Sequence, residues 1–248
     1  MTFNVVCIKW GSKYRPEYVN HLARAVRCNL TLPHRFVCLT EDSRGIDPEV
    51  ETKPFTEDLP GWWNKVALFK SHVHDLEGTL CYFDLDMVIV RNIDGLALRP
   101  GRFVAVPTLA REGEFASTFL RFEIGGYPKV WDLFQSRAEL VMRKIYGDQN
   151  WINACCTVSN LHEYTRCVRQ LWPEVTPKSC LIDALPRSWF PDFKGELQDG
   201  AHRLSADAKV IVFRGKPMVH EVDWVAQLWR GAVSVSEAAP TPKPFPPD

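Results

Sequence analysis

Residues 80–90 read "LCYFDLDMVIV". An apolar run holds two carboxylates, Asp84 and Asp86, one residue apart. A buried strand does not carry two unpaired charges without a reason. On a strand, residues i and i+2 face the same way, so the pattern predicts that Asp84 and Asp86 project together while Leu85 packs. The preceding "LCYF" fills an interior, which puts the pair near the strand's carboxyl end. Ligands of open α/β sheets gather at that end. Two same-side carboxylates repel unless a cation lies between them. A hard divalent ion with oxygen ligands, Mn²⁺ or Mg²⁺, meets that need, with phosphates completing its shell. An isolated D-x-D is also common as two solvated strand-end carboxylates.

Working outward, "FNVVCIKW" reads as a buried strand, "EYVNHLARAVRCN" as a helix and "HRFVCLT" as a second strand. "GWWNKVALFKSHVHDL" reads as a helix leading into the strand at 79–90. Strands alternating with helices predict βαβ units and a mainly parallel sheet covered on both faces. Further on, "RFVAVPT" and "AKVIVFRG" are strand-like. "GEFASTFLRFEIGG" fits one or two strands, "YPKVWDLFQSRAELVMRKIYG" a long helix, "QNWINACC" a short helix and "EVDWVAQLW" a closing helix. The expected organisation is one domain over residues 1–233, with a regular first half (1–95) and a less regular second half (96–233). A Pro-rich tail, 234–248, cannot pack a core.

The 248 residues suffice for a sizeable core. Lys and Arg number 30, as do Asp and Glu, so no global basic surface for nucleic acid is present. No apolar run reaches the roughly 18 residues of a membrane span. The start, "MTFNVVCIKWG", has no secretion-signal pattern, so the expected location is cytoplasmic, with reduced thiols. The eight cysteines form no C-x-x-C pair, which argues against zinc.

The block from "WWNKVALFKSHVHDLEGTLCY" into "FDLDMVIVRNID" resembles the GT-A glycosyltransferases, in particular the retaining glycogenin-like and bacterial galactosyltransferase-like group. The resemblance implies a single Rossmann-like α/β domain, with residues 1–95 as its nucleotide-binding half and 96–233 as its sugar and acceptor half. It makes Asp84 and Asp86 the residues for metal and diphosphate, and Lys65 a lysine that reaches the donor. "YGDQNWIN" (146–153) is similar to the family's D-Q-D-x-x-N segment, which implies that Asp148 holds the donor sugar and that Gln149 lies by the anomeric carbon. Asn150 departs from the second Asp of that segment. "VIVFRGKPMVHEV" (210–222) resembles a late H-x-x-G-x-x-K-P segment and implies Lys216 on the diphosphate. The expected histidine is missing: Val212 or Arg214 stands there. Either His220 supplies the third metal ligand, or Arg214 lies on the diphosphate; position in the motif favours Arg214. "CIKWGSKY" implies Lys9, Trp10 and Tyr14 around the nucleoside, Tyr14 stacking on the base. "EFASTFLRF" is similar to an acceptor-side F-N-S strand with Ser117 kept and Ala116 in place of Asn.

The implied activity is transfer of a sugar, with retention, from a nucleoside diphosphate donor, UDP-linked by the resemblance. The acceptor is a hydroxyl on a glycan, a protein or a hydroxylated nucleobase. The alternatives are a non-catalytic nucleotide-sugar-binding module and a nucleotidyltransferase. The second calls for a basic glycine-rich loop after the first strand, and "KWGSKYRP" has one glycine.

Overall fold

The computed structural model describes residues 3–108, 113–156, 163–173, 182–198 and 204–231. The elements run β1 (Phe3–Lys9), α1 (Pro16–Asn29), β2 (His34–Thr40), β3 (Glu51–Lys53), a 3₁₀ segment (Gly61–Phe69), β4 (Thr79–Phe83), β5 (Met87–Ile89) and α2 (Asp94–Leu98). They continue with β6 (Phe103–Pro107), β7 (Phe115–Glu123), α3 (Pro128–Ser136), α4 (Ala138–Lys144), α5 (Gly147–Cys156), α6 (Glu163–Leu171), β8 (Asp183–Ala184), β9 (Val210–Val212) and α7 (Asp223–Trp229). The Pro-rich tail lies outside the described residues.

All seven residues of β1 are buried. A strand hydrogen-bonded on both sides and covered on both faces reads as a continuous apolar run, not an alternation. Seven strands form one sheet in the order β3-β2-β1-β4-β7-β6-β8. β3, β2, β1 and β4 run parallel. β7 runs antiparallel between β4 and β6, and β8 is parallel to β6. The expected mainly parallel α/β sheet is therefore present, with one reversed strand. Alternate side chains of β1 and β4 feed two separate cores. Val5, Cys7, Cys81 and Phe83 join one, with α1 and α7. Val6, Ile8, Leu80 and Tyr82 join the other, with the 3₁₀ segment, α3 and α5.

Three readings need revision. The strand at 79–90 breaks: β4 ends at Phe83, Leu85 and Asp86 form a turn, and β5 leaves the main sheet to pair antiparallel with β9. The strand of "AKVIVFRG" belongs to this two-stranded sheet too. Residues 61–69 are 3₁₀, not α. In a 3₁₀ helix, residues three apart line up; Trp63, Val66 and Phe69 make such a buried row. The Asn64 amide nitrogen donates to Leu59 O (2.8 Å) and Gly61 O (2.9 Å), tightening its first turn. The long helix of 127–147 is two, α3 and α4, parted at Arg137 (φ −151°, ψ 42°). No proline or glycine marks that break.

Candidate active site

Four chain segments meet at one end of the sheet. The loop after β1 and the turn after β4 leave the carboxyl ends of parallel strands, where ligand sites of open α/β sheets form. β7 is antiparallel, so its beginning lies beside the end of β4. Phe119 pairs with Phe83, and the Asp84 amide donates to Thr118 O at 2.9 Å. Asn153 of α5 grips the backbone of β7: its Oδ1 accepts from Phe115 N (2.8 Å) and its Nδ2 donates to Phe115 O (2.7 Å). That clamp sets the first turn of α5, with Asp148 and Gln149, against Ser117. Gly147 enters the helix at φ +82°, a left-handed conformation that glycine adopts without strain.

The Lys65 ammonium is the hub. It lies 3.1 Å from Asp84 Oδ1 and 3.0 Å from Asp148 Oδ2. It also donates to the Ser117 carbonyl and hydroxyl, both at 3.1 Å. Ser117 Oγ donates to Asp148 Oδ2 at 2.7 Å, and Ser117 N to Gln149 Oε1 at 3.2 Å. Burial works against the Lys65 charge, but the carboxylates of Asp148 and Asp84 outweigh it and hold the ammonium above the usual lysine range. A buried ion pair needs such saturation to offset its desolvation.

Two tyrosines brace the aspartates. Tyr82 donates its hydroxyl to Asp84 Oδ1 at 2.6 Å, and Tyr14 to Asp86 Oδ2 at 2.6 Å. Burial raises the Asp84 carboxyl, with Lys65 and Tyr82 opposing. Asp86 is pushed up to about 6 by burial and by the charge of Asp84, against the pull of Tyr14 and Lys13. The opening question thus has its answer. Each carboxylate has a partner, and the two still repel each other.

All of this lines a cavity of about 390 Å³. Asp84, Asp86, Lys65, Asp148, Gln149 and Ser117 line it together, and so do Trp10, Tyr14 and Arg214. Lys9, Lys216 and His220 are not in its lining. Lys9 is buried and Lys216 exposed. The His220 Nδ1 is 2.7 Å from the Tyr18 hydroxyl. Tyr14 is buried, with the Lys13 ammonium 4.6 Å from its ring centre. Trp10 is half-buried beside Gly61.

Sequence reasoning missed several members of the site. Tyr82 carried a signal, because it is two residues before Asp84 on the same strand face. Lys13 and the aromatic pair Trp62 and Tyr146, with ring centres 5.8 Å apart on the cavity wall, carried none that a single sequence displays. Asp192 is a further case. Its buried carboxylate accepts from Arg214 Nε at 2.6 Å and from Gly195 N at 2.8 Å.

No protein-family profile and no curated protein matches the sequence. Solved structures do match the fold. Galactosyltransferase LgtC in complex with donor and acceptor sugar analogues superposes with a TM-score of 0.59, at 13% identity over 95% of both chains. An active-site mutant of LgtC gives 0.57, at 13% identity over 98% of both. The chain has the GT-A fold.

Among the described residues, no group of three or more His, Cys, Asp or Glu side chains is placed to hold a metal ion. Asp84 and Asp86 nevertheless suit a divalent cation as a partial set on this GT-A scaffold. They are hard oxygen donors on one cavity, and burial, followed by the charge of Asp84, raises the Asp86 carboxyl. Phosphate oxygens and water would fill the other positions, as is usual for Mg²⁺. No described helix is long and apolar enough to cross a membrane.

Proposed function

We propose that this chain is a metal-assisted glycosyltransferase that moves a hexosyl or pentosyl unit from a nucleoside diphosphate sugar, UDP-linked, to an acceptor hydroxyl with retention. The observation that carries the proposal is the convergence of Asp84, Asp86, Lys65, Asp148 and Gln149 on one cavity of a GT-A fold.

Asp84 and Asp86 would hold a Mn²⁺ or Mg²⁺ ion, which when bound supplies positive charge to the departing diphosphate. This chain's own groups do the rest. Arg214 and Lys13 are cavity cations that stabilise the same charge. Lys216 adds to it from the exposed loop after Gly215. Lys65 and Ser117 fix the Asp148 carboxylate, which accepts hydrogen bonds from donor-sugar hydroxyls and faces the positive charge that grows on the ring. Trp10 takes the nucleobase, and Tyr14, which lines the same cavity, donates its hydroxyl to Asp86. The bond from the anomeric carbon to the phosphate oxygen breaks, its electron pair leaving with the nucleoside diphosphate. The acceptor oxygen bonds to the same face of that carbon, and its proton passes to the departing phosphate oxygen. Gln149 is a poor nucleophile, which favours this route over a covalent intermediate.

The test is a panel of UDP-, GDP- and dTDP-sugars with Mn²⁺, read by release of nucleoside diphosphate and sugar. Release that requires Asp84, Asp86 and Asp148 is expected. A chain that binds nucleotide sugar and releases nothing is a binding module. Release of pyrophosphate would mean nucleotidyl transfer.

A further inference from the structure

Arg214 stands where the resembled late motif has its histidine, and a guanidinium has no lone pair to offer a metal. Its side chain is 55% exposed and lies just past β9, beside Gly215 at φ +76°. An arginine so placed ordinarily samples many rotamers in water. Here one partner limits it, the Asp192 carboxylate, 22 residues earlier in the chain.

Asp192 is itself held from several sides. Its side chain is buried. Oδ1 accepts from Gly195 N at 2.8 Å, capping the short helical turn Phe193–Leu197, and Oδ2 accepts from Arg214 Nε at 2.6 Å. Its carbonyl accepts from Glu196 N at 2.9 Å, and its own N–H donates to the Glu196 carboxylate. The Pro191 carbonyl accepts from Val212 N at 3.0 Å, which ties this segment to β9. The flanking rings repeat the tie: Phe193 and Phe213 stack with centres 4.6 Å apart and planes 8° apart. A carboxylate fixed in this way sets the arginine, and not the reverse.

The division of its two oxygens matters. A bidentate carboxylate grips an arginine through two N–H groups at once. Asp192 has one oxygen to give, because Gly195 holds the other. It takes Nε, and neither Nη atom has a partner among the described residues. Arg214 lines the cavity of Asp84 and Asp86, whereas Asp192 lines only a smaller cavity beside it. The carboxylate is therefore set behind the guanidinium, and the Nη donors are left for an anion.

We infer that Asp192 is a positioning residue for the nucleoside diphosphate: it holds the Arg214 fork ready for the phosphates, and the two residues act as one unit. This rests on the proposed donor chemistry. Two effects of the carboxylate oppose each other. Its charge repels phosphate. Its hydrogen bond removes in advance the rotamer freedom that binding would otherwise have to remove. The repulsion acts from behind the guanidinium at a site open to solvent, where screening is strong. The orientation acts at contact, and it dominates.

Asp192→Ser separates positioning from structure. A serine at a helix start still caps the turn, but it is too short to reach Arg214. Titration calorimetry on the full chain with Mn²⁺ would measure UDP and uridine binding to the wild type, Asp192→Ser, Arg214→Ala and the double variant. Uridine lacks the phosphates, so the ratio of UDP to uridine affinity reads the phosphate contacts, and uridine affinity reports an intact fold. We expect the ratio to fall at least tenfold in Asp192→Ser with uridine affinity unchanged. The double variant should lose no more than Arg214→Ala, because residues that act through one contact are not additive. Asp192→Ala serves if the serine variant does not fold. An unchanged or raised ratio in Asp192→Ser, or losses that add in the double variant, would overturn the inference while the proposed activity stands. If the wild type binds none of UDP, GDP and dTDP, the proposed activity falls and takes this with it.

Discussion

The Tyr14 hydroxyl donates to Asp86 at 2.6 Å, across 72 residues of sequence. One carboxylate oxygen is occupied and its plane is fixed, leaving the other oxygen for a ligand. Partners of metal-binding side chains typically contribute about 10- to 100-fold in metal affinity. Tyr14→Phe removes the hydroxyl and keeps the ring that packs on Tyr18, 5.0 Å away between centres. The expected result is Mn²⁺ affinity weaker by roughly tenfold, read by electron paramagnetic resonance of free Mn²⁺, with little change in Tm. Unchanged affinity would leave Tyr14 a packing residue only.

Asp84→Ala and Asp86→Ala should both abolish sugar release, but their stabilities should differ. Asp86 is buried and repelled by Asp84, so its removal relieves a strain and Tm should hold or rise. Asp84 is one of two carboxylates on buried Lys65, so its removal should lower Tm. Calorimetry beside the release assay checks both. Wild-type rates in both variants would rule out the metal role.

Asp148→Asn keeps the shape and loses the charge. Lys65 then leans on Asp84 alone. The rate should drop about 100-fold or more, comparable to removing one transition-state hydrogen bond. Binding of UDP, measured by calorimetry, should stay near wild type. An equal loss of UDP affinity would move Asp148 to the diphosphate.

Arg214→Ala and His220→Ala separate the two candidates for the missing motif histidine. Arg214 lines the cavity, while His220 is engaged with Tyr18 outside it. Weaker donor affinity is therefore expected from Arg214→Ala, with His220→Ala leaving the Mn²⁺ requirement unchanged. A raised requirement in His220→Ala with intact donor affinity in Arg214→Ala would make the histidine the ligand.

Asp192 makes a pH prediction. Burial alone would raise its carboxyl, but Arg214 and the Gly195 amide outweigh that and hold it below the usual carboxylate range. A depressed acid contributes stability that is complete above the unfolded value, about 4, and lost as pH falls through the folded value. Arg214 is 55% exposed, so water screens the pair; the contribution at neutral pH is about 1–2 kcal/mol. Asp192→Asn should lower Tm at pH 7, and the gap from wild type should narrow below about pH 4. A gap constant with pH would mean that the pair contributes nothing through its charge.

Much of the first cavity was legible because its residues sit at fixed local spacings. The apolar continuity of "FNVVCIK" marks a central parallel strand, and the Asp84–Asp86 spacing marks its neighbour's end. Lys65 was legible as the lysine just upstream. Its 3₁₀ geometry was not, since the apolar spacing in the nine residues of "GWWNKVALF" fits either helix. The break at Asp84 was hidden for a different reason. "MVIV" continues the apolar run, and only its pairing with β9, over 120 residues later, shows that it leaves the sheet. Asp192 and Arg214 join through a contact 22 residues apart, with no motif to announce it.

The reversed strand β7 has a wider consequence. Residues of β6 and β7, joined where Thr108 N donates to Glu114 O at 2.9 Å, line a smaller cavity of about 120 Å³ beside the first. Lys65, Tyr82, Asp84 and Asp86 stand on other parts of the chain. An insertion or deletion between β6 and β7 would reshape that smaller cavity with those four residues undisturbed. One loop's length can thus alter the small cavity without rebuilding the network centred on Lys65.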